Sequence, residues 1–261
     1  MSGTTTTNQD QMALQALSLL ELFILNHDET EQRVAGVCQR ALTPLGPVAA
    51  VCVYPRFVCL ARTLLDRQQA RDLRVVAAVN FPYGGSNITS AVSEVRASVN
   101  AGADEIDLVY PYRTLLTGDK QTGVELVEAV RAACTRNVSL TVTLETGELR
   151  DPQIIRHACR SVIKSGADFI KTGTGKSAGH ATPQAARIML ESIAEVGGQV
   201  GFKVAGGIRG LHEAQTFMDL ARSRFGPQWV KPERVRLGAS SLLDDLLGRL
   251  GVIEASGYGG Y

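Results

Sequence analysis

Short apolar runs alternate with amphipathic stretches along most of this chain. The runs are typical of buried β-strands, because they are short, rich in Val, Ile and Leu and bounded by glycine or polar residues. Between them, apolar residues recur at helical spacing, as Val92, Val95 and Val99 do. Thr30, with Asp28 as an alternative, and Thr182 are candidate N-caps of two such helices. The predicted strands are residues 48–54, 74–81, 105–110, 140–145, 169–172, 201–205 and 235–238, with a weaker candidate at 19–25.

The regular alternation of strand and helix predicts parallel strands joined by right-handed crossovers. Eight such units in 261 residues match the size of a (β/α)₈ TIM barrel, which takes about 250 residues. An open doubly wound sheet is the alternative. The barrel is favoured because polar residues recur where the strands end, and a barrel gathers those ends into one mouth. The fold class is therefore predicted to be α/β, a single (β/α)₈ TIM barrel.

The chain shows no linker, so one domain is predicted. Residues 12–252 would form the barrel, with flexible tails at 1–11 and 253–261. The first tail is polar and rich in threonine, without the apolar centre of a signal peptide.

Composition and charge exclude several kinds of protein. A net charge of +1 argues against a broad nucleic-acid surface. No apolar stretch approaches the roughly 18 residues of a membrane span. The five cysteines are odd in number and contain no Cys-x-x-Cys pair, which favours free thiols and a reducing cytoplasm. The four histidines lack the spacing of a zinc helix, so no metal is predicted.

Two lysines stand inside predicted strands at matching positions. Lys171 follows Phe169 and Ile170, and Lys203 follows Phe202. A lysine in a buried strand is costly unless it is paired or neutral. Two of them in matching positions suggest that one ammonium lowers the pKa of the other, and a neutral amine is a nucleophile that can form a Schiff base. The pair therefore predicts an enzyme.

An acidic pair lies in the fourth predicted strand. Asp107 and Glu105 share one side of it, because side chains alternate across a strand. A buried Asp–Lys bridge is one interpretation of Asp107. The other is a carboxylate that shuttles protons beside the two lysines during imine formation. Both interpretations require the same geometry and stay open.

The loops after the seventh and eighth strands have the composition of an anion site. Barrels commonly bind phosphate there, where glycine N–H groups and a helix N-terminus face the anion. The candidate residues are Gly206, Gly207, Arg209, Gly238, Ser240 and Ser241.

A further glycine-rich loop, residues 173–177, is similar to a nucleotide P-loop but lacks its first glycine, since position 170 is Ile170. Lys176, beside Thr174 and Gly175, is interpreted as a ligand of a phosphate or a substrate hydroxyl. A solvent-facing loop lysine is the alternative.

Taken together, these motifs resemble the 2-deoxyribose-5-phosphate aldolases, a family of metal-free class I aldolases. The resemblance follows the family order over nearly the whole chain, which is far more specific than any single loop. The matching segments are residues 50–57, 80–82, 102–107, 145–149, 166–172, 201–203 and 225–241.

The resemblance implies a barrel that reversibly condenses acetaldehyde with D-glyceraldehyde 3-phosphate to 2-deoxy-D-ribose 5-phosphate in deoxyribonucleoside catabolism, without a cofactor. It implies that Lys171 forms the Schiff base, that Lys203 lowers the pKa of Lys171, and that Asp107 relays protons through a water. Tyr261, or its rival Tyr258, would help exchange the C2 proton. The glycine-rich loops would hold the phosphate, with small-molecule aldehydes and a sugar phosphate as partners. A homodimer is also implied.

The chain departs from the family pattern in the first strand. Glu21, Phe23 and Ile24 stand where the family usually has Asp-x-Thr, Gly173 stands where serine is frequent, and Val204 follows Lys203 where a small residue or proline is common. The large apolar ring of Phe23 predicts a less polar mouth and an altered range of acceptor aldehydes.

Two alternative functions stay open from the sequence. One is a Schiff-base barrel with a different donor, such as a transaldolase-like enzyme. The other is a phosphate-binding barrel without catalysis, in which the lysines are merely bridged to acids.

Overall fold

A computed structural model describes residues 7–252 of the chain, and in it eight parallel strands close into a barrel. Each strand pairs with the strands before and after it in the chain, and the last returns to the first. This closure confirms the predicted (β/α)₈ TIM barrel and excludes the open sheet. The strands are β1 (Leu20–Ile24), β2 (Ala50–Val53), β3 (Arg74–Val79), β4 (Glu105–Val109), β5 (Ser139–Thr143), β6 (Phe169–Lys171), β7 (Gly201–Ala205) and β8 (Val235–Gly238).

Helices surround the barrel and join its strands. Two short helices, Tyr112–Leu116 and Thr146–Leu149, and a small antiparallel hairpin, Leu42–Thr43 with Gly46–Pro47, were not predicted. The remaining α-helices are Asn8–Ser18, Glu31–Arg40, Val58–Arg67, Ile88–Asn100, Gln121–Ala133, Pro152–Lys164, Pro183–Glu195, Leu211–Phe225 and Leu242–Arg249, and Pro55–Phe57 and Pro227–Trp229 are 3₁₀ turns. None of the helices within residues 7–252 is long and apolar enough to cross a membrane.

Side-chain caps explain where several helices begin. The hydroxyl of Thr30 accepts a hydrogen bond from the backbone N–H of Arg33, and Thr182 caps its helix in the same way, as predicted. Thr7 caps the first helix, Asn8–Ser18. The predicted boundary after residue 11 is therefore wrong, because residues 8–11 are helical. The predicted C-terminal tail, 253–261, lies outside the described residues.

The strands alternate between an outer and an inner face. On β1, Leu20, Leu22 and Ile24 belong to the large apolar core between barrel and helices, so Glu21 and Phe23 point to the inside. A second, small apolar cluster fills the inside next to β2 and β3. The interior therefore has an apolar side and, across from it, the charged side described below.

Candidate active site

Lys203 lies at the centre of a buried charge cluster. Its Nζ donates to Glu21 Oε2 at 3.0 Å and to Glu105 Oε2 at 2.9 Å. Arg236 donates to the other oxygen of Glu105 at 3.0 Å. Because β7 and β4 are not neighbours in the barrel, the contact between Lys203 and Glu105 crosses the interior. Two cations and two carboxylates are thus paired inside the barrel.

The cluster keeps Lys203 charged. Burial disfavours its ammonium, but Glu105 and Glu21 outweigh burial and raise the pKa of Lys203. For Glu105, burial likewise opposes the charge, while Lys203 and Arg236 outweigh it and lower the pKa of the carboxyl to about 2. Lys203 and Glu105 therefore form an ion pair at neutral pH.

Lys171 ends β6 and faces a different carboxylate. Its Nζ is 2.5 Å from Asp107 Oδ2, and Thr143 donates to Asp107 Oδ1 at 2.6 Å. The ring of Phe23 lies over the ammonium, with its centroid 4.3 Å from Nζ. The side chain of Lys171 is 3% exposed. The structure therefore places a buried amine in direct contact with a group that can take its proton.

The pKa of Lys171 is shifted in the direction opposite to the one predicted. Burial lowers it, but the carboxylates of Asp107 and Glu21 outweigh burial, so the pKa is raised. Lys203 itself is paired with Glu21 and Glu105, and its effect on the pKa of Lys171 stays a prediction.

Sequence reasoning missed two polar members of the interior, Arg236 and Thr143. Arg236 is 5% exposed in β8. It is a cation inside an apolar strand sequence, and the two lysines were identified by the same pattern. Thr143 is the register partner of Lys171 on the neighbouring strand. A threonine in a strand is common, so its contact with Asp107 had no sequence signal.

The predicted phosphate loops lie at the carboxyl ends of the strands, on the same side as Lys171. Gly206 and Gly207 follow β7 with φ of +98° and +86°, and the N–H of Ala181 donates to the carbonyl of Gly206 at 3.2 Å. Arg209 and Ser241 are exposed nearby in sequence. Their role in binding phosphate stays a prediction.

Several hydroxyl and ammonium groups that are predicted to bind substrate or phosphate are already hydrogen-bonded to other residues of the protein. Thr174 donates to Glu145 Oε2 at 2.6 Å, and Lys176 Nζ donates to Asn26 Oδ1 at 2.9 Å. Ser240 Oγ accepts from the N–H of Phe23 at 2.8 Å and donates to its carbonyl at 3.1 Å.

Gly175 adopts a positive φ of +74° in this loop. Tyr258 and Tyr261 lie outside the described residues, and their predicted role stays untested.

A cluster of possible metal ligands overlaps the lysine site. The ligand atoms of Glu21, Cys52 and Asp107 lie within 4.8 Å of one another. The two carboxylates already bind ammonium groups, and burial holds the pKa of the Cys52 thiol well above its usual value. The donors are therefore occupied by lysines and a protonated thiol, which does not fit a metal ion.

Comparisons with known proteins identify the family of the chain and agree with its fold. The model of the DeoC/LacD family aldolases matches residues 6–247. The chain is similar to a candidate deoxyribose-phosphate aldolase from Toxoplasma gondii, with a TM-score of 0.86, 25% identity and coverage of 95% of this chain and 97% of that one. The apo form of a candidate deoxyribose-phosphate aldolase from the same organism gives a TM-score of 0.83 at 27% identity, over 91% and 96% of the two chains.

A tetrameric deoxyribose phosphate aldolase from Aeropyrum pernix has a TM-score of 0.71 at 20% identity, over 96% of this chain and all 100% of that one. At this identity the likeness supports the fold alone.

Proposed function

This chain belongs to the DeoC/LacD family of aldolases, and we propose that it is a class I aldolase whose Schiff base forms on Lys171. The donor would be acetaldehyde and the acceptor D-glyceraldehyde 3-phosphate, with 2-deoxy-D-ribose 5-phosphate as the product. The observation that carries the proposal is the 2.5 Å contact between the buried Nζ of Lys171 and Asp107. A nucleophilic amine needs a proton acceptor at this distance.

Asp107 makes the amine reactive by exchanging protons with it. The raised pKa of Lys171 means that its resting amine is an ammonium. Transfer of one proton to Asp107 gives a neutral amine, which attacks the carbonyl carbon of acetaldehyde. Asp107 then returns the proton to the carbinolamine hydroxyl, which leaves as water when the imine forms. Thr143 donates to the other oxygen of Asp107 and so holds the carboxylate towards Lys171.

The carbon–carbon bond forms through an enamine. The protonated imine withdraws electrons, so Asp107 can remove a proton from C2 of the bound acetaldehyde. The enamine attacks the carbonyl carbon of the acceptor, whose oxygen takes up a proton, and water then hydrolyses the new imine to regenerate Lys171. The electron pair of the enamine forms the carbon–carbon bond, and the π pair of the acceptor carbonyl moves to its oxygen, so the steps balance without an oxidant or reductant.

Lys203 is a positioning residue in this proposal. It neutralises Glu21 and Glu105, which leaves Asp107 as the carboxylate in hydrogen-bond contact with Lys171. The glycine-rich loops after β7 and β8 would bind the phosphate of the acceptor through backbone N–H groups, with Arg209 and Ser241 beside them.

Chemical trapping tests the proposal. Acetaldehyde with borohydride should add one ethyl group, about 28 Da, to the peptide that contains Lys171. The Lys171→Leu variant should take up none and should lose turnover. As a matched control, Lys164→Leu removes an exposed lysine at the end of a helix and should leave the adduct unchanged.

Other adducts would contradict the assignment. An ethyl group on a different lysine would refute the role of Lys171. Faster trapping of dihydroxyacetone than of acetaldehyde would favour a transaldolase-like enzyme. The absence of any adduct, with sugar phosphate still bound, would favour a barrel that binds without catalysis.

A further inference from the structure

An apolar surface borders Lys171 on the β1–β3 side of the barrel mouth. We call it the apolar wall; it consists of residues of the small inner cluster, of which Phe23, Tyr54 and Phe81 are partly exposed and Cys52, Val76 and Ala78 are buried. Phe23 and Cys52 are register partners, and so are Cys52 and Val76. Ala78 is the register partner of Asp107 on the next strand. The wall is therefore continuous from the ring over Lys171 to the carboxylate that binds Lys171.

Phe23 is held in place by β8 and the loop after it. Its backbone N–H and carbonyl both bond to the hydroxyl of Ser240. Its ring fills the space that Gly238 leaves open, because a Cβ added at Gly238 would lie 2.5 Å from the ring atom Cζ. These contacts keep the ring at 4.3 Å from the Lys171 ammonium, where it also gains a cation–π interaction.

Three polar groups next to the wall, those of Tyr54, Asn80 and Ser240, are already bonded to the protein. The hydroxyl of Tyr54 donates to the carbonyl of Leu25 at 3.2 Å. The amide of Asn80 donates to the carbonyls of Gly85 and Val109. The hydroxyl of Ser240 is occupied by Phe23. The N–H and O–H donors of these three groups are therefore already used, so a substrate oxygen that lies against the wall would lose water without gaining a donor from them, whereas a methylene group would lose nothing.

We propose that the site prefers acceptor aldehydes with an apolar carbon chain over acceptors that carry a hydroxyl next to the carbonyl, and that Phe23 sets this preference. The inference rests on the proposed Schiff-base function and specifies its acceptor class. Phosphate binding is a separate contribution, so the comparison is made with unphosphorylated acceptors. Butanal and D-glyceraldehyde are suitable because they have similar size and differ in their hydroxyl groups.

Competition between the two acceptors measures the preference directly. Acetaldehyde, butanal and D-glyceraldehyde are mixed with the enzyme, and the initial rates of the two cross-products are compared at equal acceptor concentrations. The ratio reports the relative kcat/KM of the acceptors, because imine and enamine formation are common to both and cancel. For the wild-type enzyme we expect the ratio to favour butanal.

Variants then assign the preference to Phe23. Phe23→Thr should shift the ratio towards D-glyceraldehyde by about tenfold or more, the scale of one such contact in an apolar pocket. Phe23→Leu keeps the surface apolar and should hold the ratio within about threefold of wild type. Leu45→Ser replaces an exposed apolar residue, 41% exposed, in the hairpin that precedes β2, and should leave the ratio unchanged.

Two results would overturn the inference without touching the proposed function. One is a ratio of cross-product rates that favours D-glyceraldehyde in the wild-type enzyme while the Lys171 adduct with acetaldehyde still forms. This result can be obtained without any variant. The other is an equal ratio in Phe23→Thr and wild type. If acetaldehyde gives no adduct on Lys171, it is the proposed function that fails.

Discussion

Removing Lys203 should destabilise the protein far more than removing a surface charge. In Lys203→Met, Glu21 and Glu105 lose contacts of 3.0 Å and 2.9 Å while their side chains stay 1% and 4% exposed. Arg236 remains, 3.0 Å from Glu105 but 3.8 Å from Glu21. Two buried carboxylates would then share one cation. We expect the free energy of unfolding to fall by about 3–5 kcal/mol, the usual cost of breaking a buried ion pair.

Urea unfolding at pH 7 provides the measurement. The single tryptophan, Trp229, stacks on Phe225 with 4.3 Å between ring centroids and gives a fluorescence signal that can be compared with far-UV circular dichroism. Coincidence of the two transitions justifies a two-state analysis. Arg249→Met is the matched control, since its ion pair with Asp245 is 49% and 28% exposed and should contribute no more than about 1 kcal/mol.

A second substitution separates charge from packing. In Lys203→Met combined with Glu21→Gln, the carboxylate left without a close cation is gone, so about 2 kcal/mol of the loss should return. Gln has nearly the volume of Glu, so a loss that came from side-chain volume would not be recovered in the double variant. If Lys203→Met lowered the free energy of unfolding by less than about 1 kcal/mol, the view that Lys203 stabilises the two buried carboxylates would be refuted.

Two further predictions concern the carboxylates. Asp107→Asn should lower kcat by about a hundredfold or more and should lower the pKa of Lys171, because the carboxylate that raises this pKa is gone. Trapping rates measured over a range of pH report both effects. The control Glu128→Gln, at an exposed helix position, should change neither. Glu105 should make folding sensitive to acid, because its pKa is about 2 in the folded protein and 4.5 ordinarily. Its contribution to the free energy of unfolding, about 3 kcal/mol, is complete above pH 4.5 and is lost as the pH falls towards 2. Urea titrations across that window should show a smaller decline in Glu105→Gln, and an equal decline would contradict the assignment.

The barrel itself could be predicted because local rules determine it. Predicted strands of four to eight residues that alternate with amphipathic helices leave few topologies, and right-handed crossovers leave fewer. Thr30 and Thr182 identified helix starts for the same local reason. The first helix was missed because Asn8–Ser18 has only three buried residues, Ala13, Ala16 and Leu17, so its apolar pattern is weak.

The protonation state of the lysines could not be predicted, because it depends on residues far apart in the chain. The acids that pair with Lys203 come from β1 and β4, and the one that pairs with Lys171 comes from β4. Strand alternation showed that Glu105 and Asp107 share a face. It did not show that the two acids bind different lysines, Glu105 binding Lys203 and Asp107 binding Lys171. The assignment of partners decides the sign of the pKa shift.

The relation between Phe23 and Gly238 illustrates the same point for specificity. In the sequence they are 215 positions apart and have separate interpretations: Phe23 departs from the family pattern, and Gly238 is a predicted phosphate-loop glycine. In the barrel they lie on paired strands, since Glu21 and Gly238 are register partners, and the ring occupies the volume of the absent Cβ. The glycine therefore has a packing role whether or not its N–H contacts phosphate. An alanine at 238 would overlap the ring and force it to move, so the size of residue 238 and the acceptor preference should change together.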